Sequence, residues 1–394
     1  MEWLRCRLGD IILLEYGKPL PARDRDSSGS FEVAGSNGPD GKHTKAIVKA
    51  PGVVVGRKGS AGKVWWYEKS FWPIDTTYYV VPRRALDIRW AYYLLTALHL
   101  ERLASATGVP GLNRNDAYRL EVRLPPLSEQ RHIVEILDQA NRLRRLRADA
   151  DAKTARIIPA LFIKLFGDPS ANRMRWPTSQ LGDLAQHMTS GSRGWAKYTG
   201  RGPALFVRTQ DIADGEVSAH LLSIDPPDGA EADRTRLLEG DVVVTITGVV
   251  GKAAVVRESS KDLFVSQHVA LIRLHRDLIS PEYFAAYANL PLGDVPVLAR
   301  FQYGQTKPGL GFRELRTARV PLPPLDLQKA FAEGVSAVSR LRDSIRVSQH
   351  DFESLWDRVL HEAFHGSLTA SWREAHVKEL HQETQQVMAE LAEA

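Results

Sequence analysis

The feature that most limits how this chain can fold is an internal repeat. The sequence VRLPPL at 122–127 recurs as VPLPPL at 320–325, a spacing of 198 residues. The same spacing relates three further pairs: Pro-Gly-Leu at 110–112 and at 308–310, Gln130 and Gln328, and Phe166 and Phe364. Self-similarity at a fixed spacing indicates a duplicated structural unit. The chain is therefore predicted to contain two copies of one fold.

A long helix is predicted after each proline motif. Ser128 is expected to be the N-cap of the first helix, with Glu129 and Gln130 in its first turn. The positions that follow step by three and four in alternation, which is typical of a coiled-coil seam. They are Ile133, Ile136, Ala140, Leu143, Arg147, Ala150, Thr154, Ile157 and Leu161. The repeat spacing gives a second seam of Phe331, Gly334, Val338, Leu341, Ile345, Ser348, Phe352, Leu355 and Val359. The two helices are predicted to pack against each other.

Two residues interrupt these helices. Pro159 removes one backbone hydrogen bond near the end of the first helix, so a kink or a fresh turn is expected there. Gly334 weakens the second helix near its beginning by about 1 kcal/mol relative to alanine.

Length and composition fit two ordinary domains with connecting helices. The chain has 394 residues, of which 43% are hydrophobic and 25% are charged. Cys6 is the single cysteine, which excludes an intrachain disulfide and a cysteine-based zinc site. No apolar run has the length of a membrane span, and Glu2 and Asp10 argue against a signal peptide, so a cytoplasmic location is expected.

The first region, 1–123, is predicted to be an α+β domain of short strands with one clear helix from Asp87 to Leu103. No acidic residue lies between Asp40 and Glu68. The candidate ligand-binding residues of this region are Ser36, Asn37, Lys42, His43, Arg57, Lys58 and Lys63.

The second region, 171–320, repeats these ingredients. Gly-x-x-Gly-Lys at 248–252 echoes the same pattern at 59–63, and a second acid-free stretch lies between Asp183 and Asp211. A strand from Asp241 to Thr247 and a helix from Pro281 to Leu290 are expected. The candidates here are Ser190, Ser192, Arg193, Trp195, Lys197, Tyr198, Arg201, Arg208 and Lys252.

Both sets of candidates have the chemistry of a nucleic-acid surface. The net charge is +5, and the basic residues are clustered beside serine, asparagine and aromatic residues. Lysine and arginine bind phosphates, and arginine, asparagine and serine hydrogen-bond base edges. The alternative is a solvated surface without a ligand, since acid-free stretches also occur there.

Taken together, these motifs resemble the specificity (S) subunit of a type I restriction-modification system. The resemblance is carried from Leu8 to Arg373 by the repeated LPPL-x-x-Q helix starts, GSNG at 35–38, TSGSRGWAKY at 189–198, the two Gly-x-x-Gly-Lys sequences, LFG at 165–167 and AFHGSLT at 363–369. It implies two target-recognition domains, each reading one half of a split DNA sequence. It also implies two spacer helices that pair as an antiparallel coiled coil, with a pseudo-two-fold relation between the halves.

The domain organisation predicted on this basis has five parts. They are a first target-recognition domain at 1–123, a central spacer helix at 124–170, a second target-recognition domain at 171–320, a C-terminal spacer helix at 321–373 and an acidic helical tail at 374–394. The tail is expected either to pack or bind a partner, or to be a frayed terminus.

The resemblance also implies the partners and cofactors. Double-stranded DNA and two modification (methyltransferase) subunits are expected to bind this chain, with restriction subunits in the full complex and no membrane. S-adenosylmethionine, ATP and Mg²⁺ are expected on the partner subunits, and no cofactor is expected in this chain. A specificity subunit of a methylation-only or other phage-defence complex remains an alternative.

Three stretches of the sequence imitate catalytic motifs. His361, Glu362 and His365 fit the HExxH pattern of a zinc hydrolase, but the repeat counterpart, 163–167, holds no ligands. Asp225-Pro-Pro-Asp228 lacks the aromatic residue that would stack on a flipped base. Asp151-Ala-Lys153 has the spacing of a nuclease motif but lies in a predicted coiled-coil helix. No catalytic residue and no metal site is therefore predicted, and the zinc hydrolase is kept as the competing hypothesis.

Overall fold

The structure is a computed structural model that describes residues 2–105, 110–169, 171–257, 259–292, 295–302 and 309–392. Pro308 of the second Pro-Gly-Leu motif and tail residues 393 and 394 lie outside this part of the chain. The helices are α1 Leu8–Ile11, α2 Ile88–Ala97, α3 Arg114–Tyr118, α4 Leu127–Ala155, α5 Ile157–Phe166, α6 Leu181–Leu184, α7 Ala230–Thr235, α8 Pro281–Asn289, α9 Phe312–Thr317, α10 Leu325–His365, α11 Ala370–Ala375 and α12 Val377–Ala392. No helix in the described ranges is long and apolar enough to cross a membrane.

The strands fall into two groups. The first group is β1 Leu4–Arg7, β2 Ile12–Tyr16, β3 Phe31–Gly35, β4 Gly38–His43, β5 Gly52–Gly56, β6 Val64–Tyr67, β7 Phe71–Pro73, β8 Thr77–Pro82 and β9 Glu121–Leu124. The second group is β10 Thr178–Gln180, β11 Ala185–Ser190, β12 Thr199–Val207, β13 Ile212–Ala213, β14 Glu216–Val217, β15 Leu222–Ile224, β16 Arg236–Leu237, β17 Val242–Thr245, β18 Ala253–Val255, β19 Leu263–Val265, β20 Val269–Leu274, β21 Pro291–Leu292, β22 Val295–Pro296 and β23 Arg319–Pro321. The mixture of helices and strands confirms the predicted α+β class.

The chain divides into two compact units. Unit 1 comprises residues 1–147 and 348–394, and unit 2 comprises residues 148–347. The boundaries fall inside α4 and α10, so each long helix contributes residues to both units. Each unit therefore consists of one strand-rich region together with a segment from each long helix.

The two units have corresponding sheets, although the second sheet has three strands in unit 1 and four in unit 2. Unit 1 contains an antiparallel sheet of order β2-β8-β5-β6, a second sheet of order β4-β3-β7 and the pair β1-β9. Unit 2 contains the matching sheets β11-β20-β17-β18 and β15-β12-β19-β16 and the pair β10-β23. In both units a parallel pair, β3-β7 or β12-β19, lies in the second sheet. The internal repeat seen in the sequence is thus a repeat of fold.

The glutamine of each LPPL-x-x-Q motif fastens a helix start to the proline turn. Gln130 Oε1 accepts from the Asp87 N–H at 2.9 Å, and its Nε2 donates to the Pro125 carbonyl at 2.9 Å. Gln328 does the same in unit 2, where Oε1 accepts from Ser280 N–H at 2.9 Å and Nε2 donates to Pro323 O at 2.8 Å. Both glutamines are buried. The motif therefore has a structural role that explains its repetition.

The long helices pack antiparallel within each unit. In unit 1 the Arg144 guanidinium lies 4.8 Å from the centre of the Trp356 ring, and Glu129, earlier in α4, contacts Thr369, later in the chain. In unit 2 the rings of Phe162 and Phe331 are 5.7 Å apart. The Thr154 carbonyl, earlier in its helix, lies near Arg342. Residues later in one helix therefore contact residues earlier in the other, so the two helices run antiparallel.

The predicted break in the first helix is present. α4 ends at Ala155, and α5 begins at Ile157, so Pro159 occupies the third position of α5. Pro159 has no N–H to offer to the carbonyl of Ala155, and its ring crowds that position, which ends the upstream helix. Gly334 lies where α10 meets α5, since a Cβ built on it would come 2.9 Å from Leu161 Cδ2. Close helix packing thus accounts for this glycine.

The predicted seams are partly wrong. Ile133, Thr154, Phe331 and Val338 are buried as expected. Four predicted seam residues are exposed: Leu143 at 53%, Ile157 at 40%, Leu341 at 47% and Leu355 at 50%. The buried positions include Leu137, Asn141 and Phe162 on the first helix and Trp356, Leu360 and Ala363 on the second. The cause is that each helix also covers a domain core, so its buried stripe steps mostly by four. The side chains of Ile345 and Ser348 lie outside those described.

The start of α4 is capped from the tail rather than by its own N-cap side chain. The helix begins at Leu127, so Ser128 lies in its first turn, which corrects the predicted cap. The Ser128 N–H and hydroxyl both donate to Glu383 Oε2 of α12, at 3.0 and 3.1 Å. A carboxylate at a helix N-terminus also complements the helix dipole. Leu380 of α12 is fully buried, so this part of the tail is packed.

Candidate nucleic-acid interface

The candidate site in unit 1 is one end of the sheet β2-β8-β5-β6. Because neighbouring strands are antiparallel, the end of β2, the start of β8 and the turn between β5 and β6 meet there. The register pairs Tyr16 with Tyr78 and Gly56 with Thr77. We call Tyr16, Arg57–Lys63, Thr76 and residues 110–114 the sheet-end surface of unit 1. Residues 110–114 belong to it because the Leu112 N–H donates to Arg57 O at 2.9 Å.

The Gly-x-x-Gly-Lys sequences form the same turn in both units. Gly56 N donates to Lys63 O, and Thr245 N donates to Lys252 O, each at 2.8 Å. The second glycine of each turn, Gly62 or Gly251, has a φ of 84° or 87°. A Cβ there would lie 2.2 Å from Glu101 N or 2.9 Å from Ala299 N, so the turn requires glycine in both units.

Several predicted residues of unit 1 come together on this surface. Lys58 and Lys63 are exposed, and Arg57 is half-buried. Ser60 Oγ donates to Asn37 Oδ1 at 3.2 Å, which brings the turn of the GSNG sequence, with Ser36 and Asn37, beside the 56–63 turn. Asp75, the residue before Thr76, is exposed beside this surface.

Lys42 and His43 lie elsewhere in unit 1. Both belong to the far end of β4, where Lys42 pairs across the sheet with Glu32. The His43 ring meets the Trp72 ring edge-on at 5.2 Å. At about 3.3 Å per residue along a strand, Lys42 is separated from Asn37 by roughly 16 Å. The structure therefore does not bring these two candidates to the sheet-end surface.

Unit 2 has the corresponding surface at the end of β11-β20-β17-β18. The name sheet-end surface of unit 2 is used here for Ser190–Arg193, Ile246–Lys252 and Ser266–His268. Ser190 pairs with Ala270, and Thr245 pairs with Val269. Lys252 is exposed, as is Arg193.

Three acceptors on this surface bind one arginine that the sequence did not single out. Arg234, from α7, donates to the hydroxyl of Thr189, to Ser190 O at 2.9 Å and to Ser192 Oγ at 3.3 Å. Ser192 is buried beneath this arginine. Ser190 and Ser192 therefore position a guanidinium, and α7 lies too far along the chain for sequence spacing to reveal the contact.

The remaining candidates of unit 2 divide by exposure. Lys197 and Arg201 are exposed, and Lys197 Nζ lies 4.8 Å from the centre of the Tyr198 ring. Trp195 is only 3% exposed and packs against Phe264, with ring centres 5.8 Å apart. Trp195 is therefore part of the core of unit 2, which corrects the prediction that it is available to DNA.

Arg208 is also occupied within the protein. Its Nε donates to Asp211 Oδ2 at 2.9 Å, and its Nη2 donates to Asp211 Oδ1 at 3.0 Å. Asp211 is buried, so this two-point ion pair fixes the turn after β12. The predicted availability of Arg208 is corrected on this ground.

Two residues of unit 1 were missed by the sequence interpretation. Tyr16 is 47% exposed at the end of β2, and the Arg114 guanidinium carbon lies 4.7 Å from the centre of its ring. Tyr16 also packs on Tyr78, and burial, together with Tyr16, raises the pKa of the Tyr78 hydroxyl to about 12. Tyr78 is thus neutral at physiological pH and donates to Leu112 O at 3.2 Å. A signal for these residues would have been the shared end of the sheet, which sequence order does not show.

The HExxH motif does not assemble a metal site in the described part of the chain. The rings of His361 and His365 stack at 3.8 Å, and His365 Nδ1 lies 2.9 Å from His361 O, within the helix. Among the described residues, no group of three or more potential metal ligands comes together.

The comparisons with known proteins agree with this geometry. Residues 1–149 match the sequence model of the family described as type I restriction modification DNA specificity domain. The EcoBI specificity subunit of a type I restriction enzyme from Escherichia coli is 28% identical over 172 residues, which cover 42% of this chain and 36% of that relative. The MjaVIII specificity subunit from Methanocaldococcus jannaschii is 20% identical over 390 residues, which cover 91% of each chain. The chain spans about a third of the length of the first curated relatives it matches.

Solved structures show the same fold. The S subunit of a type I restriction-modification system from M. genitalium has a TM-score of 0.62 at 16% identity, over 92% of this chain and 96% of that one. A chain from a structure titled for complex assembly and conformational transition of the type I R-M system has a TM-score of 0.52 at 17% identity, over 93% and 98%.

Fold and sequence family together define the class. Residues 1–149 match the model of the type I restriction modification DNA specificity domain, and the chain has a fold like that of the solved S subunit from M. genitalium. The predicted resemblance to the specificity subunit of a type I restriction-modification system is confirmed. Each of these relatives is named as a specificity subunit, in agreement with the prediction that the chain is a recognition subunit rather than an enzyme.

Proposed function

We propose that this chain is the non-catalytic DNA sequence-recognition subunit of a type I restriction-modification complex, and that each unit reads one half of a bipartite target. The observation that carries the proposal is the repetition of one surface. In both units the glycine-dependent turn places an exposed lysine, Lys63 or Lys252, at the same end of the same sheet. Exposed lysines bind phosphates, while neighbouring serine, asparagine and arginine side chains hydrogen-bond base edges.

The catalytic work is assigned to partners. Two modification subunits are proposed to dock on this chain, with restriction subunits in the full complex. S-adenosylmethionine, ATP and Mg²⁺ belong to those subunits in this proposal. A complex that acts on chromosomal and invading DNA operates in the cytoplasm. A methylation-only complex would use the same chain, and a restriction-subunit gene beside its own gene distinguishes the two.

The long helices are proposed to set the gap between the half-targets. α10 has 41 residues, and at about 1.5 Å per residue it is roughly 62 Å long. One turn of duplex DNA is about 34–36 Å long. Helices of this length are sufficient to carry two reading units over successive turns of one duplex, with unread base pairs between them.

The salt dependence of DNA binding tests the assigned surfaces. Lys58→Ala and Lys63→Ala in unit 1, and Lys252→Ala in unit 2, are each expected to weaken binding to every sequence. Each should make the slope of log K against log salt less negative by about 0.9, because one phosphate contact is lost. The measurement is a titration of the chain, purified with its modification subunits, against labelled duplexes over a range of salt concentrations.

Lys42→Ala is the matched control. It removes the same charge from the same unit, but Lys42 lies at the far end of β4 beside Glu32. Its slope should therefore change least. Equal slopes for the wild type and all three sheet-end variants would refute the assignment of these surfaces to DNA.

A further inference from the structure

Tyr16 and two arginines form a cluster in unit 1 that has no counterpart of the same composition among the residues of unit 2 that the structure describes. The guanidinium carbon of Arg57 lies 5.2 Å from the centre of the Tyr16 ring, and that of Arg114 lies 4.7 Å from it. The three residues come from β2, from the turn after β5 and from α3. Only the fold brings them together, at the sheet-end surface of unit 1.

Contacts with the rest of unit 1 fix the cluster in place. The Tyr16 ring packs on Tyr78 at 5.1 Å, and Arg114 Nη1 donates to Leu14 O at 3.1 Å. The backbone of Arg57 is held on both sides, since the Arg57 backbone N–H donates to Thr76 O and the Arg57 carbonyl accepts from Leu112 N–H, each at 2.9 Å. Two cations beside one exposed ring are thus positioned before any ligand binds.

The arginines have donors to spare. Among the described residues, neither Arg57 nor Arg114 forms an ion pair with a carboxylate. Arg234 in unit 2 differs, because three hydroxyl and carbonyl acceptors already occupy it. A positioned guanidinium with free donors fits an acceptor pair on a ligand, and guanine presents such a pair, O6 and N7, in the major groove.

We propose that Arg57 and Arg114 recognise guanine in the half-target of unit 1, and that Tyr16 is the positioning residue that holds both guanidiniums against its ring. This inference rests on the proposed function, since it names the bases that one recognition surface reads. The ring supplies a flat face on which a guanidinium stacks at little entropic cost, worth about 0.5–1 kcal/mol at an exposed site. Loss of the ring therefore frees both arginines together.

Selection from a random duplex library tests the inference. The full chain is purified with its modification subunits, and the bound sequences are read after several rounds. Arg57→Lys and Arg114→Lys keep the charge but lose the two-point fork, so each should lower the preference for one G·C pair by about 10- to 100-fold while leaving the salt slope unchanged. Tyr16→Ala should weaken both preferences, and Tyr16→Phe should keep them.

Two internal controls accompany the selection. The half-target of unit 2 should be recovered unchanged from every variant, which shows that the chain is folded. Arg83→Lys changes an exposed arginine at the opposite end of β8, where its N–H donates to Ile11 O, and it should leave both half-targets intact.

The outcomes separate the inference from the proposed function. If the wild type selects a two-part sequence and both lysine variants select the same sequence with the same preference, the arginines are not the readers, although the proposed function stands. If the wild type selects no two-part sequence, the proposed function fails and the inference fails with it.

Discussion

Units 1 and 2 have the same framework but different side chains at their sheet-end surfaces. Gln130 and Gln328 make the same hydrogen bonds in the two units, and the Gly-x-x-Gly-Lys turn and the four-stranded antiparallel sheet are also repeated. At the end of the first long strand, however, unit 1 has Tyr16 with Arg57 and Arg114, whereas unit 2 has Ser190 with Arg234. The difference separates the residues that build the shared scaffold from those that vary between the two units.

The units also differ in how their strand-rich regions are joined to the helices. Trp3 precedes β1, and Trp176 precedes β10, each by the same distance from the following Leu-Gly-Asp sequence. In unit 2, Trp176 Nε1 donates to Phe166 O at 3.0 Å. In unit 1, Trp3 is held by side-chain contacts instead.

Those contacts converge on one buried carboxylate. Glu129 is fully buried and accepts from Trp3 Nε1 at 2.9 Å, from Thr369 Oγ1 at 2.6 Å and from Arg373 Nε at 2.9 Å. The repeat counterpart of Glu129 in unit 2 is Leu327, which is partly buried against the apolar core. A charged network thus holds Trp3 in unit 1, where a backbone carbonyl holds Trp176 in unit 2.

The largest effect is therefore expected at Glu129. Glu129→Ala removes the acceptor for a partly buried arginine, a hydroxyl and an indole, and it should lower the free energy of unfolding by about 3–5 kcal/mol. Leu327→Ala, at the matching site of unit 2, should cost about 2 kcal/mol, since only apolar contacts are lost. Urea denaturation followed by fluorescence measures both. Equal costs would show that the Glu129 network stabilises unit 1 no more than the apolar contacts of Leu327 stabilise unit 2.

The next effect sharpens the likeness of the two frameworks. Gln130→Ala and Gln328→Ala each leave a buried backbone N–H and a buried carbonyl without a partner, at an expected cost of about 1–3 kcal/mol. Because the contacts are the same in both units, the two costs should agree closely. Thermal unfolding of the two variants side by side checks this. A large cost at only one of the two positions would show that Gln130 and Gln328 are not equivalent.

A smaller difference concerns alkaline pH. Burial, together with nearby Asp10 and against Arg84, raises the pKa of the Cys6 thiol from 9.0 to about 11, while unit 2 has Ser179 at the corresponding strand position. A raised pKa adds stability that is present in full below pH 9 and is lost as the pH rises toward 11. Cys6→Ser should flatten the stability profile across that window. An unchanged profile, measured by denaturation at a series of pH values, would contradict it.

Sequence alone revealed the framework better than the working surface. The proline motifs, Gln130 and Gln328, and the break at Pro159 follow from repetition and backbone chemistry. The seam could not be predicted fully, because Leu143 and Leu341 obey coiled-coil spacing while the cores of the two units determine which helix faces are buried. Chain order likewise could not show the contacts of Arg114 and Arg234, since each arginine comes from an element distant in sequence.

The central claim is that the two units read two separate halves of one DNA target. Single-molecule sequencing of methylated bases in the source genome tests it most directly, with a strain lacking this gene as the control. The account predicts one methylated sequence made of two specified parts separated by an unread gap of fixed length, and the loss of that sequence in the deletion strain. A single uninterrupted methylated sequence that depends on this gene, or methylation that is unchanged without it, would contradict the account.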